Sequence, residues 1–292
     1  MAIANEIWSK ELYLAASKYQ GEFLPTLKKY NPDMKKNKSW HLTVIPKQTA
    51  SYRAYGASAA SVTYTKGAPT DVEVIVKDEV YTPFYLDDEQ LNTTEAPLIQ
   101  GFAEQATEAN MFAIETKVAL NMAINALAAN KIELASGNQI TFANLNTMRK
   151  NMLDAGSDFK ECYFLINPTY EMNIRNIKDP DTNEKLFISA DKFGAGVLKE
   201  GVIGRILGFN VILCHTLPTL NDDGDTYDAS GETAMVYYDA RAYAYGADPE
   251  QTVDTERDID TIPVKNKVLV KKYTGNKTVD SNFMGHVREY SA

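Results

Sequence analysis

The stretch LIQGFAEQATEANMFAIETKVALNMAINALAAN, from Leu98 to Asn130, decides the fold. Apolar or small residues recur along it in steps of three and four, which places them on one face of a helix. This face holds Leu98, Phe102, Ala106, Ala109, Phe112, Thr116, Leu120, Ile124 and Leu127. A helix over the whole stretch would be roughly 50 Å long, whereas globular helices average about 11–12 residues. One rod of this length is more typical of a building block than of an enzyme pocket.

The start of this helix is marked by Thr93 or Thr94 as a cap, by Glu95 and by Pro97 in the first turn. Gly101 lowers helix stability by roughly 1 kcal/mol relative to alanine, so a close contact or a slight bend is expected there. The periodicity places Phe112 on the buried face. Aspartate at that position is therefore expected to abolish folding.

Before the helix, residues 39–88 alternate β-branched, aromatic and polar side chains, and residues 40–45 and 72–76 are predicted to pair as strands. The segment between them has few large aliphatic residues and predicts an extended two-stranded ribbon. An isolated ribbon is marginal in water and needs a neighbouring molecule to lie on. A disordered loop is the alternative. The candidate contact residues between subunits are Tyr52, Arg53, Tyr55, Tyr64, Lys66, Asp87 and Asp88.

Five of the 17 tyrosines, Tyr52, Tyr55, Tyr64, Tyr81 and Tyr85, lie in this segment, which is the one least suited to a core. Tyrosine covers apolar surface while its hydroxyl stays hydrated, as contacts between subunits require. Tyrosine is also a good strand former, so each of these tyrosines could be present only because the segment is a β-strand.

Composition bounds the class of protein. The chain has 292 residues, of which 44% are hydrophobic and 24% charged, so it forms one or two folded domains and is not wholly disordered. The net charge of −9 argues against nucleic-acid binding as the main function of the chain. No leader and no membrane-spanning run are recognisable, so a cytoplasmic site of synthesis is expected. Cys162 and Cys214 are expected to be buried thiols.

No motif for catalysis, metal or cofactor emerges. His41, His215 and His286 are scattered through unrelated segments. Asp179 and Asp181 begin like a calcium loop, but the required glycine and the final glutamate are absent, and a frame starting at Asp223 fails in the same way. The glycines of residues 201–208 do not match the dinucleotide fingerprint. We therefore expect no catalytic residues, no metal and no cofactor.

The second half predicts a mixed α/β unit. Thr141 caps a helix over residues 142–154 that Gly156 closes, and residues 162–166 form a buried strand. Residues 168–177 are predicted to be helical. Residues 201–218 predict a strand, a tight glycine turn and a second strand, and further strands are expected near the C-terminal end.

The sequence EGVIGRILGFNVIL at residues 200–213, with HTLP at 215–218, resembles the hairpin of many tailed-bacteriophage coat proteins. FLINP at residues 164–168 resembles the strand end that opens the next helix in those proteins. Together with the order of arm, ribbon, long helix and mixed unit, these motifs make the chain similar to major capsid proteins of the Hong Kong 97-type fold. The resemblance covers nearly the whole chain.

The resemblance implies an α+β shell subunit with five parts: an N-terminal arm at 1–38, an extended β-hairpin loop with its flanking strands at 39–88, a long spine helix of a peripheral domain at 89–137, an axial domain at 138–245 and returning C-terminal strands at 246–292. It implies a structural protein of the virion and not an enzyme. Copies would assemble as hexamers and pentamers in the bacterial host cytoplasm and enclose double-stranded DNA without reading its sequence. Portal, scaffolding or decoration proteins are further expected partners, and a membrane is not.

Some relatives carry a Lys–Asn cross-link, for which Lys66 and Asn266, Asn276 or Asn282 supply the residue types, although no pattern marks them. Three alternatives stay open. The first is an encapsulin-type nanocompartment shell, and the second is a soluble α+β enzyme with a site on its acidic loops, around Asp179, Asp181 and Asp223. The third is a fusion-like surface protein or a tail-tube protein.

Overall fold

The architecture consists of one long helix laid across two β-sheets, with a short β-ribbon beside the smaller sheet. It is seen in a computed structural model of the chain. The structure describes residues 21–30, 38–45, 69–87, 96–135, 137, 139–189, 202–221, 223–248, 251–258 and 265–289.

Helix α1, Ala96–Ile124, confirms the long helix but ends before the predicted Asn130. The Asn125 amide group donates to the Asn121 carbonyl oxygen at 2.8 Å, and the Leu127 N–H turns to the Ser281 carbonyl oxygen. These bonds replace the regular helical ladder. A 3-10 turn at Ala128–Asn130 then leads into the next strand.

The buried face of α1 differs from the predicted face by about one residue. Fully buried positions include Ala103, Ala106, Ile114, Val118 and Met122. Phe102 is 38% exposed and Phe112 is only half-buried, so the prediction that Phe112 lies on the buried face is wrong. The true face was concealed because it also carries the polar residues Thr107, Asn110 and Glu115, all of them buried.

Those polar groups are buried with partners from other elements. The Asn110 amide group donates to the Val270 carbonyl oxygen at 3.3 Å and accepts from the Thr82 hydroxyl at 2.8 Å. Because a paired polar group can be buried without a large penalty, hydrophobicity alone identifies the wrong face. No atom of the described residues would lie within 4 Å of a Cβ atom at Gly101, so of the two expectations there the close contact is not found, and the slight bend stays a prediction.

The larger sheet has eight described strands. They are β4 (Lys131–Glu133), β5 (Cys162–Ile166), β6 (Ile188–Ser189), β7 (Val202–Ile206), β8 (Phe209–Leu213), β9 (Thr219–Leu220), β10 (Glu232–Asp239) and β14 (Met284–Arg288). Their order across the sheet is β4-β14-β10-β5-β8-β7-β6, and β9 pairs with β10. The β4–β14 and β5–β8 pairs are parallel, and the other pairs are antiparallel.

Strand β5 is central, and all five of its residues are buried, as its unbroken apolar run predicts. Its side chains alternate between two cores. Tyr163 and Leu165 pack with Val118 and Met122 of α1, whereas Phe164 and Ile166 pack on the opposite face. The sheet is therefore covered on both sides.

Two shorter helices cover that opposite face, α2 (Phe142–Ala155) and α3 (Glu171–Asn176), the latter preceded by a 3-10 turn at Pro168–Tyr170. Thr141 caps α2 in a capping box with Asn144, and Gly156 ends it in the left-handed conformation, as predicted. The hairpin β7–β8 is also confirmed. Its turn residues Leu207 and Gly208 both have positive φ, as a type I′ turn requires.

The smaller sheet is organised around β13 (Lys265–Thr278). On one side β13 pairs with β3 (Asp78–Asp87) over its first ten residues. On the other side it pairs first with β12 (Thr252–Asp258) and then with β11 (Tyr243–Ala247). Ala103 and Ala106 of α1 pack on this sheet with Leu86, Val268 and Val270, so α1 bridges the two sheets.

Strands β1 (Ser39–Val44) and β2 (Thr70–Ile75) form the antiparallel ribbon, which confirms the predicted pairing. The 3-10 helix Leu24–Tyr30 lies against the core, with Phe23 and Leu27 fully buried. A last 3-10 turn spans Ser281–Phe283. Both cysteines are buried free thiols, as expected.

Candidate inter-subunit contact surface

Most of the predicted contact residues lie outside the described part of the chain: Tyr52, Arg53, Tyr55, Tyr64, Lys66 and Asp88. Asp87 is the last residue of β3, where its backbone pairs with Lys265 of β13. The structure therefore places one of the seven, and their contact role stays a prediction.

The base of the ribbon is fixed to the smaller sheet. Val74 and Val76 are buried, and the Val76 N–H donates to the Lys38 carbonyl oxygen at 3.0 Å. Gly275 of β13 allows this close approach, because a Cβ atom there would lie 2.3 Å from the Ile75 carbonyl oxygen. The ribbon thus leaves the body of the subunit from an anchored base.

Away from that base the ribbon turns polar and open to solvent. His41 and Asp71 are diagonal neighbours across the strand pair, and the His41 Nδ1 atom lies 2.6 Å from the Asp71 carboxylate. This hydrogen bond raises the pKa of His41. At the strand end, Ile45 is 74% exposed. An apolar side chain so exposed is available to a neighbouring molecule.

A second exposed surface is the face of the smaller sheet that points away from α1. We call it the tyrosine face and define it by Tyr81, Pro83 and Tyr85 of β3 with Lys267 and Lys271 of β13. Tyr81 is 59% and Tyr85 56% exposed, which confirms that these tyrosines lie outside the core. Val80, Thr82, Phe84 and Leu86, which alternate with them, are buried or half-buried.

Charged pairs border the tyrosine face. The Lys271 ammonium lies 2.5 Å from Asp254 and 3.7 Å from Glu79, and Lys267 lies 2.8 Å from Asp258. The Lys265 ammonium lies 4.6 Å from the centre of the Tyr85 ring. Exposed pairs of this kind stabilise the fold little, but they set charge and orientation at an interface.

A shallow depression of about 560 Å³ opens beside this face. Its walls are Pro83, Phe84, Tyr85, Asp254, Thr255, Glu256, Lys267, Val268 and Leu269. Aromatic and aliphatic groups in a shallow recess with a charged rim are typical of protein–protein contacts. The sequence signalled this surface only through the alternation in VYTPFYLD. It gave no sign of the charges that β12 and β13 bring beside it.

Carboxylates of the acidic loops are engaged in local hydrogen bonds and ion pairs, and in the part of the chain that the structure describes these loops do not form a catalytic or metal site. The Asp179 carboxylate accepts from the Asp181 N–H at 2.8 Å, and the Asp225 carboxylate pairs with the Lys131 ammonium. Among the described residues no three acidic, histidine or cysteine side chains converge as a metal site would require. Burial raises the pKa of Cys162 to about 12, which removes its reactivity. Of the helices in the described ranges, none is long and apolar enough to cross a bilayer.

Two of the three candidate cross-link asparagines, Asn276 and Asn282, make hydrogen bonds within the subunit. The Asn276 side-chain oxygen accepts from the Asn121 amide group and from the Tyr243 hydroxyl, both at 2.7 Å. These bonds join α1, β11 and β13 inside the subunit. Asn282 is exposed and donates to its neighbour Asp280 at 2.8 Å, and Lys66 lies outside the described residues.

No protein-family model and no curated protein sequence matches this chain. Solved structures do match it. A chain from Mycobacterium phage Adephagia has a TM-score of 0.60 and 16% identity, over 94% of this chain and 91% of that one. A chain from the capsid structure of cyanophage P-SCSP1u has a TM-score of 0.57 and 14% identity, over 90% and 86%.

A third match is to the asymmetric unit of the bacteriophage PhiM1 mature capsid, with a TM-score of 0.54 and 13% identity. It covers 89% of this chain and 84% of that one. Identities this low establish a shared fold, and the coverage shows that nearly the whole of each chain takes part. The chain therefore has the α+β fold of phage capsid proteins.

Proposed function

We propose that this chain is the major capsid protein of a tailed bacteriophage, which self-assembles into the icosahedral head that encloses double-stranded DNA. The observation that carries the proposal is the match to capsid chains along about nine-tenths of this chain and more than four-fifths of theirs. A fold alone does not fix a function, but a match this complete leaves little of the chain for any other task. The role is structural, and no reaction is assigned to it.

Within the Hong Kong 97-type fold, α1 corresponds to the spine helix. The smaller sheet with the first half of α1 corresponds to the peripheral domain, and the larger sheet with α2 and α3 corresponds to the axial domain. The ribbon β1–β2 with residues between its strands is the extended loop, and residues 1–38 are the arm. These assignments are supported by the way α1 bridges two separately packed sheets.

Assembly in this proposal comes from many modest contacts between identical subunits. The anchored ribbon reaches a neighbouring copy, where its tyrosines and strand edges supply area and hydrogen bonds. The tyrosine face adds a second contact area with a charged border. Each contact is weak alone, and the closed shell sums them because every bound neighbour raises the effective concentration of the next.

The proposal extends to partners and place. Subunits form hexamers and pentamers in the host cytoplasm, with portal, scaffolding or decoration proteins as additional partners, and end in the virion. The net charge of −9 suits a wall that holds DNA without binding it tightly.

Electron microscopy of the purified full-length protein, expressed alone and with its neighbouring virion genes, tests this function. We expect closed, uniform shells, and with the virion genes we expect DNA-filled heads. A protein that stays monomeric at high concentration under both conditions would contradict the proposal. Uniform shells that always contain a co-purified enzyme and never DNA would point to an encapsulin-type compartment instead.

A further inference from the structure

A buried carboxylate on α1 holds the segment at residues 21–24. The Glu115 side chain is fully buried, and its Oε1 atom accepts from the Phe23 N–H at 3.0 Å and from the Leu24 N–H at 3.4 Å. The other oxygen, Oε2, is buried and has no hydrogen-bond partner among the described residues. Buried polar atoms are nearly always paired, so an unpaired carboxylate oxygen calls for an explanation.

The backbone is shaped to reach this carboxylate. Gly21 has φ +87°, and a Cβ atom there would lie 2.4 Å from the Glu115 Oε1 atom. Only glycine fits both the conformation and the approach. Just beyond, Phe23 is fully buried, and the Thr26 hydroxyl lies 2.5 Å from the Tyr238 hydroxyl. The segment is therefore seated on the core through Glu115 and the residues that follow it.

Among the described residues, the groups that interact with Glu115 bring no compensating positive charge. Glu22 of the held segment, Tyr238 of β10 and Tyr245 of β11 interact with it electrostatically. Glu22 is itself engaged with His215, whose backbone N–H and Nδ1 atom each lie 2.8 Å from its carboxylate. On β13, the Lys272 ammonium lies 3.6 Å from the Met111 sulfur, one turn before Glu115.

Burial without a cation raises the pKa of Glu115 to about 7. The hydrogen bond from the Phe23 N–H opposes this rise, and the charge of Glu22 adds to it. A protonated carboxyl carries no charge to bury, and leaving its neutral Oε2 atom unpaired costs less than leaving an anionic oxygen unpaired. The closed arrangement is therefore compatible with the neutral acid and strained by the ionised one.

We propose that the Glu115 carboxyl is a proton-operated latch, which holds residues 21–24 on α1 when protonated and loosens them when ionised. Opening exposes the Glu115 carboxyl to water, where its pKa returns to the ordinary value of about 4.5. Because the closed form binds the proton more tightly than the open form, acid favours closure. Opening becomes more frequent as the pH rises from about 4.5 toward 7.

The latch is a property of the single subunit. One consequence rests on the proposed function: residues 21–24 lie within the proposed arm, residues 1–38, so the proton would decide when this part of the arm is free for a neighbour. If the shell function is wrong, the latch still stands, because its test needs no assembly.

Hydrogen exchange of the unassembled full-length protein, followed by mass spectrometry at pH 5.5 and 8.5, tests the latch. After correction for intrinsic exchange rates, a pKa of about 7 against 4.5 predicts that opening of residues 21–30 increases about 30-fold between these pH values. Peptides from α2 in the same sample should change far less and serve as the internal control. Equal changes in both regions of the wild-type protein would overturn the proposal.

Two variants sharpen this result. Glu115→Gln has nearly the same shape and cannot ionise, so its opening at residues 21–30 should be independent of pH. Glu22→Gln removes the His215 contact from the same segment and also the charge that adds to the pKa of Glu115, so it should reduce the increase but keep most of it. Loss of the increase in Glu22→Gln, or its persistence in Glu115→Gln, would show that another group governs the opening and that the latch is wrong.

Discussion

Asp239 and Arg241 form a two-pronged ion pair at the corner where the chain passes from the larger sheet to the smaller one. The Arg241 Nε and Nη2 atoms donate to the two Asp239 carboxylate oxygens at 2.9 and 2.8 Å. Asp239 ends β10 and is 1% exposed, and β11 begins just beyond Arg241 at Tyr243. The Ser157 hydroxyl also donates to Asp239 at 2.8 Å, so the corner is tied to the end of α2.

Replacing Asp239 and replacing Arg241 should lower the free energy of unfolding by different amounts. Asp239→Asn should lower the free energy of unfolding by about 2 kcal/mol, because Arg241 is 34% exposed and can turn to water. Arg241→Met should cost more, since it leaves a buried carboxylate without its cation. Urea unfolding of both variants measures the order, and a smaller effect for Arg241→Met would contradict this account of the corner.

The buried and exposed faces of α1 should respond differently to a new charge. Ile114→Asp should prevent folding, because it places a charge among Val118, Met122 and the larger sheet. Ala113→Asp, one residue earlier on the exposed face, should change stability by no more than about 0.5 kcal/mol. Circular dichroism and soluble yield report both, and equal loss of folding in the two variants would refute the assignment of faces.

Two glycines should respond to alanine in opposite directions. Gly208 has φ +101°, and an added Cβ would lie 2.8 Å from the Phe159 ring, so Gly208→Ala should destabilise by about 2 kcal/mol. Gly101→Ala should stabilise by about 0.5–1 kcal/mol, because the site lies within α1 and the space around it is open. Thermal unfolding of the two variants tests the pair, and a loss of stability at Gly101 would indicate a contact absent from the described residues.

His286 should make the subunit sensitive to acid. Burial lowers its pKa to about 4, while the bond from its Nδ1 atom to the Ala123 carbonyl oxygen, 3.1 Å long, opposes this and the charges of Lys131 and Arg288 add to it. Since the folded pKa lies below the usual 6.5, its contribution is complete above pH 6.5. That contribution, about 3 kcal/mol at most, is lost as the pH falls toward 4.

His286→Asn keeps a donor near the Ala123 carbonyl oxygen but cannot titrate. The difference in unfolding free energy between wild type and variant should therefore shrink steadily from pH 7 to pH 4. Taking the difference cancels the contribution of Glu115, which has the opposite sign over an overlapping range. A difference that stays constant with pH would rule out His286 as the acid-sensitive group.

Removing the outer ribbon should separate folding from assembly. Deletion of residues 54–65 should leave a soluble subunit with the circular dichroism of an α+β protein, because the ribbon base is anchored at Val74 and Val76. Closed shells should not form. Normal particles from the deletion, seen by electron microscopy, would contradict the assembly role of the ribbon.

Much of the fold follows from local sequence signals. The capping box at Thr141, the unbroken apolar run of β5 and the two-residue turn at Leu207 are each determined by neighbouring residues, and each is confirmed. The face of α1 is different, because Asn110 and Glu115 are buried only by virtue of partners far along the chain. Periodicity counts such residues as polar and cannot see those partners.

The candidate contact surface was only partly predictable. Tyr81 and Tyr85 were identified as poor core residues because of the segment in which they lie. Their charged border was not, since Lys271 of β13 meets Glu79 only when β13 pairs with β3, which is distant in sequence. Register between distant strands is a tertiary property, and no local pattern in β12 or β13 specifies it.

The long strand β13 also governs the timing of folding during synthesis. Its register pairs Thr82 with Val270, so β3 has no partner until almost all of the described chain has left the ribosome. Pairings so distant in sequence form late and slowly. A nascent chain consequently lacks the sheet on which its ribbon is anchored, and under the proposed function this would delay contacts between copies until each copy is nearly complete.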